Sequence, residues 1–114
     1  MLAEKIETVI ARGITNTRMR DFYDIYILLL MYSDSIEKEL LSHAVLSTSQ
    51  SRGTDHLLRD GQAVLNEVAA DETMQKLWSS YQNKYSYAED ISWNEIVRAI
   101  NELWGYIKIK YYGY

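Results

Sequence analysis

The stretch Arg18-Met19-Arg20-Asp21-Phe22-Tyr23-Asp24-Ile25-Tyr26 decides how the rest of the chain reads. Two arginines and two aspartates stand before a run that stays apolar through Leu28, Leu29, Leu30 and Met31, the pattern of a buried helix with charge held at its entrance. At roughly 100° per residue, Arg20 and Asp24 fall about 40° apart and Asp21 and Asp24 about 60° apart, so the three share one face. From Ile25 onward no face is left polar, and a helix apolar all round belongs inside a domain with other helices packed about it. The charged cluster is therefore either a cap or a site.

Working outward, Leu2 to Arg12 reads as a first helix, with Leu2, Ile6, Val9 and Ile10 on one face. Gly13 stands at the C′ position, where a left-handed residue ends a helix. A polar connector with Asn16 and Thr17 as turn candidates leads into the second helix, Arg20 to Tyr32. Ser35 caps a third helix bearing Leu40, Leu41, Ala44 and Val45, which fades in the polar run Ser47-Thr48-Ser49-Gln50-Ser51, expected to be a flexible loop. Thr54 or Asp55 caps a fourth with Leu57, Leu58, Val64, Leu65 and Val68, and Gly61 is its weak point. Asp71 caps a fifth carrying Met74, Leu77, Trp78 and Tyr81. Ser92-Trp93-Asn94-Glu95 is a capping box before a sixth with Ile96, Val97, Ile100, Leu103, Trp104 and Ile107. Tyr85 to Ala88 has no clear assignment, and the alternating tail Lys108 to Tyr114 reads as frayed. The expected fold is an all-α bundle of about six helices in a single domain over residues 1–114. A chain that starts one residue before a well-formed helix suggests a fragment.

Composition narrows the chemistry. The chain has 47% hydrophobic residues, no proline and a formal charge of −4, so nonspecific binding to a nucleic-acid backbone is not its expected main activity. It has no cysteine, and His43 and His56 match no zinc spacing, so disulfides, thiolate sites and a structural zinc are not expected. With no apolar run of membrane-spanning length and no signal-peptide pattern at the N-terminus, a cytoplasmic protein is expected. Ten tyrosines and three tryptophans against one phenylalanine suit half-buried helix packing, and they are not interleaved with cations as in a single-strand binding surface.

No phosphate-cradling glycine loop and no nucleophile–base pair appears. The charged groups that stand out are Lys5 with Glu4 in the first helix and Arg18, Arg20, Asp21 and Asp24 at the entrance of the second. Read structurally, the acids offset the helix macrodipole and Arg20 with Asp24 is an ordinary i,i+4 pair. Read functionally, the cations hold triphosphate oxygens while an aspartate orients a reacting group, with a separate acidic metal site completing the machinery. Spacing alone leaves the position of Lys5 relative to Asp21 and Asp24 open.

The block Leu2-Ala3-Glu4-Lys5 through Arg12-Gly13, followed by Asn16-Thr17-Arg18-Met19-Arg20-Asp21-Phe22-Tyr23-Asp24, resembles the LAEK and R-x-(K/R)-D-x-x-D block of the AbiEii/AbiGii nucleotidyltransferase toxins. The region from Trp78 to Ile107, with Tyr81 and Lys84 ahead of an amphipathic last helix, is similar to that family's C-terminal part. The resemblance implies the helical C-terminal portion of a polymerase-β-like nucleotidyltransferase toxin from a bacterial toxin–antitoxin or abortive-infection system. By it, Lys5, Asp21 and Asp24 match the catalytic motif positions, and Lys5, Arg18 and Arg20 the nucleotide-binding ones. The family's Gly-Ser and Asp-x-Asp elements are absent, since neither pattern occurs in the chain. This implies that the N-terminal catalytic core is missing, that no metal is held here, and that the chain is inactive alone. Mg2+ and a nucleoside triphosphate are implied for the complete enzyme only, as is an RNA acceptor. A cognate antitoxin is a further implied partner. The alternative is a helical interaction module or homo-oligomer, pairing through a face of the first helix left bare by loss of the preceding domain.

Overall fold

The computed structural model describes residues 2–107, so the tail from Lys108 to Tyr114 lies outside the described residues. Among the described residues there are six α-helices: α1 (Leu2–Arg12), α2 (Met19–Tyr32), α3 (Lys38–Arg52), α4 (Gly61–Ala70), α5 (Glu72–Lys84) and α6 (Trp93–Tyr106). No strand occurs among the described residues, and the all-α expectation holds.

α1 is the hub. Ala3, Ile6, Val9 and Ile10 are buried along it, and it packs against α2, α3, α4 and α6. Gly13 takes φ +52°, and a Cβ there would sit 3.3 Å from Val64 Cγ1, so the position needs glycine for both its backbone and its close approach to α4. The chain then turns through Asn16, whose buried Oδ1 accepts from the Arg18 amide at 3.1 Å. This Asx turn sets the direction in which α2 leaves.

Phe22 and Ile25 of α2, Val45 of α3, Leu65 and Val68 of α4, Met74 and Trp78 of α5, and Ile96, Ile100 and Leu103 of α6 complete one core around α1. Two indole N–H groups tie its edges: Trp78 Nε1 donates to the Ile91 carbonyl at 2.8 Å and Trp93 Nε1 to the Ala69 carbonyl at 3.0 Å. Asp71 accepts from the Met74 amide at 2.9 Å at the start of α5. Ser92 and Glu95 form the reciprocal capping box of α6. The unassigned Tyr85–Ala88 region is a short 3-10 turn, Ser86–Ala88, clamped by Gln82 Nε2 at 2.6 Å from the Ile91 carbonyl.

Several sequence expectations are corrected. The run Ser47 to Ser51 is helix, because Ser49 is buried with its hydroxyl donating to the Leu46 carbonyl at 2.8 Å. The helix stops at Gly53, which takes φ +73°. Ser35 lies in a 3-10 turn and Glu37 precedes α3 without a side-chain cap, so the serine does not cap. The fourth helix is broken: Asp55–Asp60 is a 3-10 segment with no cap bond from Thr54, and α4 begins at Gly61. There a Cβ would lie 2.3 Å from Trp104 Cζ2, so the glycine admits the indole of α6. α2 is not buried all round either, since Leu30 is 67% exposed and Met31 64%. The apolar surface expected on α1 therefore lies at the end of α2 and, through Leu40, the start of α3.

Candidate functional site

The crossing of α1 and α2 places Lys5 between the two aspartates of the motif. Its Nζ lies 2.9 Å from Asp24 Oδ2 and 3.7 Å from Asp21 Oδ1. Arg20, one turn before Asp24 on α2, donates from Nε to Asp24 Oδ1 at 2.9 Å, so both Asp24 oxygens are taken. Arg18 Nε stands 3.9 Å from Asp21 Oδ2, too far for a hydrogen bond. Asp21 is 4% exposed and its Oδ2 has no hydrogen-bond partner. All five expected site residues are thus assembled in one network of three cations and two carboxylates, with Asp21 its buried and only partly satisfied member.

The electrostatics follow from this packing. Burial pushes the Asp24 carboxyl upward, but hydrogen bonds from Lys5 and Arg20 and the charges behind them outweigh it, and Asp24 sits below its ordinary value. The hydrogen bond to Asp24, and then its charge, hold Arg20 above the usual guanidinium value. A tyrosine cluster flanks this end of α2. Tyr23 packs on Tyr87 at 4.8 Å between ring centroids, Tyr81 on Tyr85 at 4.7 Å, and the Tyr81 and Tyr87 hydroxyls share a 2.7 Å hydrogen bond. Burial, then the bond to Tyr87, raises the Tyr81 hydroxyl, although Arg20 opposes the shift.

Beside the network a cleft of about 530 Å³ opens between α1, the start of α2 and the end of α3. Its lining includes Lys5, Arg12, Arg18, Asp21, Arg52 and Thr54, and its size suits a small-molecule ligand. Sequence reasoning missed its far wall. Glu7 lies on the buried face of α1 and is 2% exposed. Its two carboxylate oxygens each lie 3.3 Å from Arg52 Nη1, and Oε1 also accepts from the Thr54 hydroxyl at 3.3 Å. The available signal was an acid among Ile6, Val9 and Ile10 on an apolar helix face, which demands a partner.

Magnesium does not fit these residues. Both Asp24 oxygens are committed to Lys5 and Arg20, and no group of three or more His, Asp or Glu capable of holding a metal ion exists among the described residues. His43 and His56 are both exposed.

Fold and site together define an all-α domain organised around a lysine–aspartate network at a helix crossing, with a cation-lined cleft beside it. The family model described as "Nucleotidyl transferase AbiEii toxin, Type IV TA system" matches residues 1–99, and the chain belongs to that family. A family of toxin–antitoxin systems implies an antitoxin as counterpart. No curated protein and no solved structure matches the chain. No helix among the described residues is long and apolar enough to cross a membrane.

Proposed function

We propose that this chain supplies the helical half of the nucleotide site of an AbiEii-type nucleotidyltransferase toxin, and that it binds without transferring. The observation that carries the reading is the position of Lys5 Nζ, 2.9 Å from Asp24 and 3.7 Å from Asp21. Residues sixteen and nineteen positions apart in the chain are brought to one point at the edge of the cleft. Asp21 and Asp24 hold the Lys5 ammonium in place, and Arg20 offsets Asp24, so the network keeps a positive excess toward the cleft. Triphosphate oxygens dock on Lys5 and Arg18, replacing solvent with charge-assisted hydrogen bonds.

In the complete enzyme, Mg2+ would supply charge neutralisation at the triphosphate and at the attacking oxygen. The Gly-Ser and Asp-x-Asp residues that would serve it belong to a segment this sequence does not contain. That segment is the domain against which the cleft works, an RNA is its expected acceptor, and a cytoplasmic setting suits the cysteine-free chain. Titration with a nucleoside triphosphate is expected to show binding that Lys5→Ala abolishes. With labelled triphosphate, Mg2+ and RNA added, no label should be incorporated. Incorporation by the chain alone overturns the binding-only role, and the absence of any binding overturns the site.

A second reading, self-association, is favoured by one observation. Leu30, Met31, Tyr32 and Leu40 are exposed large apolar side chains at the end of α2 and the start of α3.

A further inference from the structure

The ion pair between Glu7 and Arg52 is built differently from a structural salt bridge. A carboxylate on the buried face of α1 is costly unless it is paired and hydrogen-bonded, and the stabilising arrangement for such a pair is a two-nitrogen fork with bonds of about 2.7–2.9 Å. Here a single nitrogen, Arg52 Nη1, makes every contact: 3.3 Å to each Glu7 oxygen and 3.1 Å to the Thr8 hydroxyl. Nε and Nη2 carry no partner among the described residues, although the arginine side chain is 46% exposed and lines the cleft. The buried acid therefore holds one corner of the guanidinium and leaves the rest of its donors unspent at the cleft wall.

The cleft's charge points the same way. Lys5, Arg12, Arg18 and Arg52 line it together with Glu4, Glu7 and Asp21. Two of those three carboxylates, Glu7 and Asp21, are buried beneath the surface. What a ligand meets is mostly cationic, inside a chain whose net charge is negative. Local cation excess with fixed, unpaired N–H donors is the arrangement that recognises phosphate oxygens.

We propose that Arg52 is a phosphate-binding residue of this cleft and that Glu7 is its positioning residue. The inference rests on the proposed nucleotide site and extends it from α1 and α2 to the end of α3. The phosphate group comes either from the triphosphate of the nucleotide or from the backbone of the RNA acceptor, and binding experiments separate the two.

The test titrates the 114-residue chain with inorganic tripolyphosphate and, separately, with a short single-stranded RNA, at several salt concentrations. Arg52→Ala is expected to weaken one of the two about tenfold, the equivalent of about 1.4 kcal/mol. Weakened tripolyphosphate assigns the nucleotide, and weakened RNA assigns the acceptor. If RNA is the ligand, the slope of log affinity against log salt also falls by about 0.7, one phosphate contact on a single strand. Arg52→Lys, which keeps the charge and is expected to fold, recovers part of the loss. Glu7→Gln keeps the shape but loosens the anchor and gives an intermediate affinity, whereas a purely structural Glu7 would change the melting temperature alone. Should Lys5→Ala weaken tripolyphosphate while Arg52→Ala, Arg52→Lys and Glu7→Gln leave both ligands unchanged, the inference is overturned and the Lys5 site stands. Failure of both ligands to bind the unaltered chain overturns both.

Discussion

Replacing Lys5 with methionine keeps the apolar stem of the side chain and removes only its charge. What it leaves behind can be worked from the geometry. Asp24 retains Arg20 at 2.9 Å, but Asp21 keeps only Arg18, 3.9 Å from its buried Oδ2. Removing one partner of a fully buried ion pair costs about 3–5 kcal/mol. Lys5 is 21% exposed and one of its two acids stays paired, so the cost is discounted to about 2 kcal/mol. At about 4 °C per kcal/mol for a domain of this size, the melting temperature falls by about 8 °C. The pH dependence has a definite sign. Asp24 is held below its ordinary value in the folded chain, so the stabilisation is present above the unfolded value of about 3.9. It is lost as pH falls through the folded value. Urea unfolding followed by far-UV circular dichroism should therefore separate wild type from Lys5→Met at pH 7, and the difference should shrink as pH falls below the unfolded carboxylate value. Asp24→Asn combined with Lys5→Met should show a coupling of about 1 kcal/mol at neutral pH. Equal midpoints at pH 7, or a difference that survives acidification undiminished, would show that the network contributes nothing as a set of charges.

Two other perturbations probe the packing. Gly61→Ala places a Cβ 2.3 Å from Trp104 Cζ2, so overpacking of about 1–3 kcal/mol outweighs the helix propensity gained. The expected drop in melting temperature comes with altered tryptophan fluorescence, and an unchanged or raised value would mean the indole moves aside freely. For the exposed Leu30 and Met31, self-association predicts a sedimenting mass that rises with concentration and falls to monomer in the Leu30→Lys, Met31→Lys double variant. A wild-type chain that stays monomeric at high concentration removes that reading.

The sequence carried those parts of the fold that are determined locally. The apolar spacing of α1, the left-handed Gly13, the Asp71 cap and the Ser92–Glu95 box each depend on residues within a turn of one another, and each stands as the pattern implies. What was not legible depends on distant neighbours. Five polar residues from Ser47 to Ser51 read as a loop, yet the helix through them packs along α1, with Arg52 reaching Glu7 and Thr8. Gly61 read as a weak point inside one helix, but the break there accommodates an indole from α6, forty-three positions later. The exposed end of α2 shows the reverse, because its apolar run predicts burial but only Leu29 of the last four residues before Ser33 is covered.

The same division runs through the site and explains its shape. Arg20 with Asp24 was readable because the two lie one turn apart on one helix. Lys5 with Asp24 needed the crossing of α1 and α2, which Gly13 and the Asn16 turn set by returning the chain tightly on itself. Arg52 with Glu7 needed a third helix, and the only trace in the sequence was an acid occupying a core position of α1. α1 thus presents Lys5 and Glu7, two positions apart and so on different sides of the helix, one to the aspartates of α2 and the other to the arginine of α3. The hub of the hydrophobic core is also the strut joining the two charged walls of the cleft, so a change that shifts α1 moves both at once. Ligand affinity and thermal stability should therefore fall together for substitutions at Ile6 or Ile10, and also for Arg52→Ala, which leaves the buried Glu7 carboxylate with Thr54 alone, whereas Arg52→Lys keeps a charge beside Glu7 and should cost affinity more than stability.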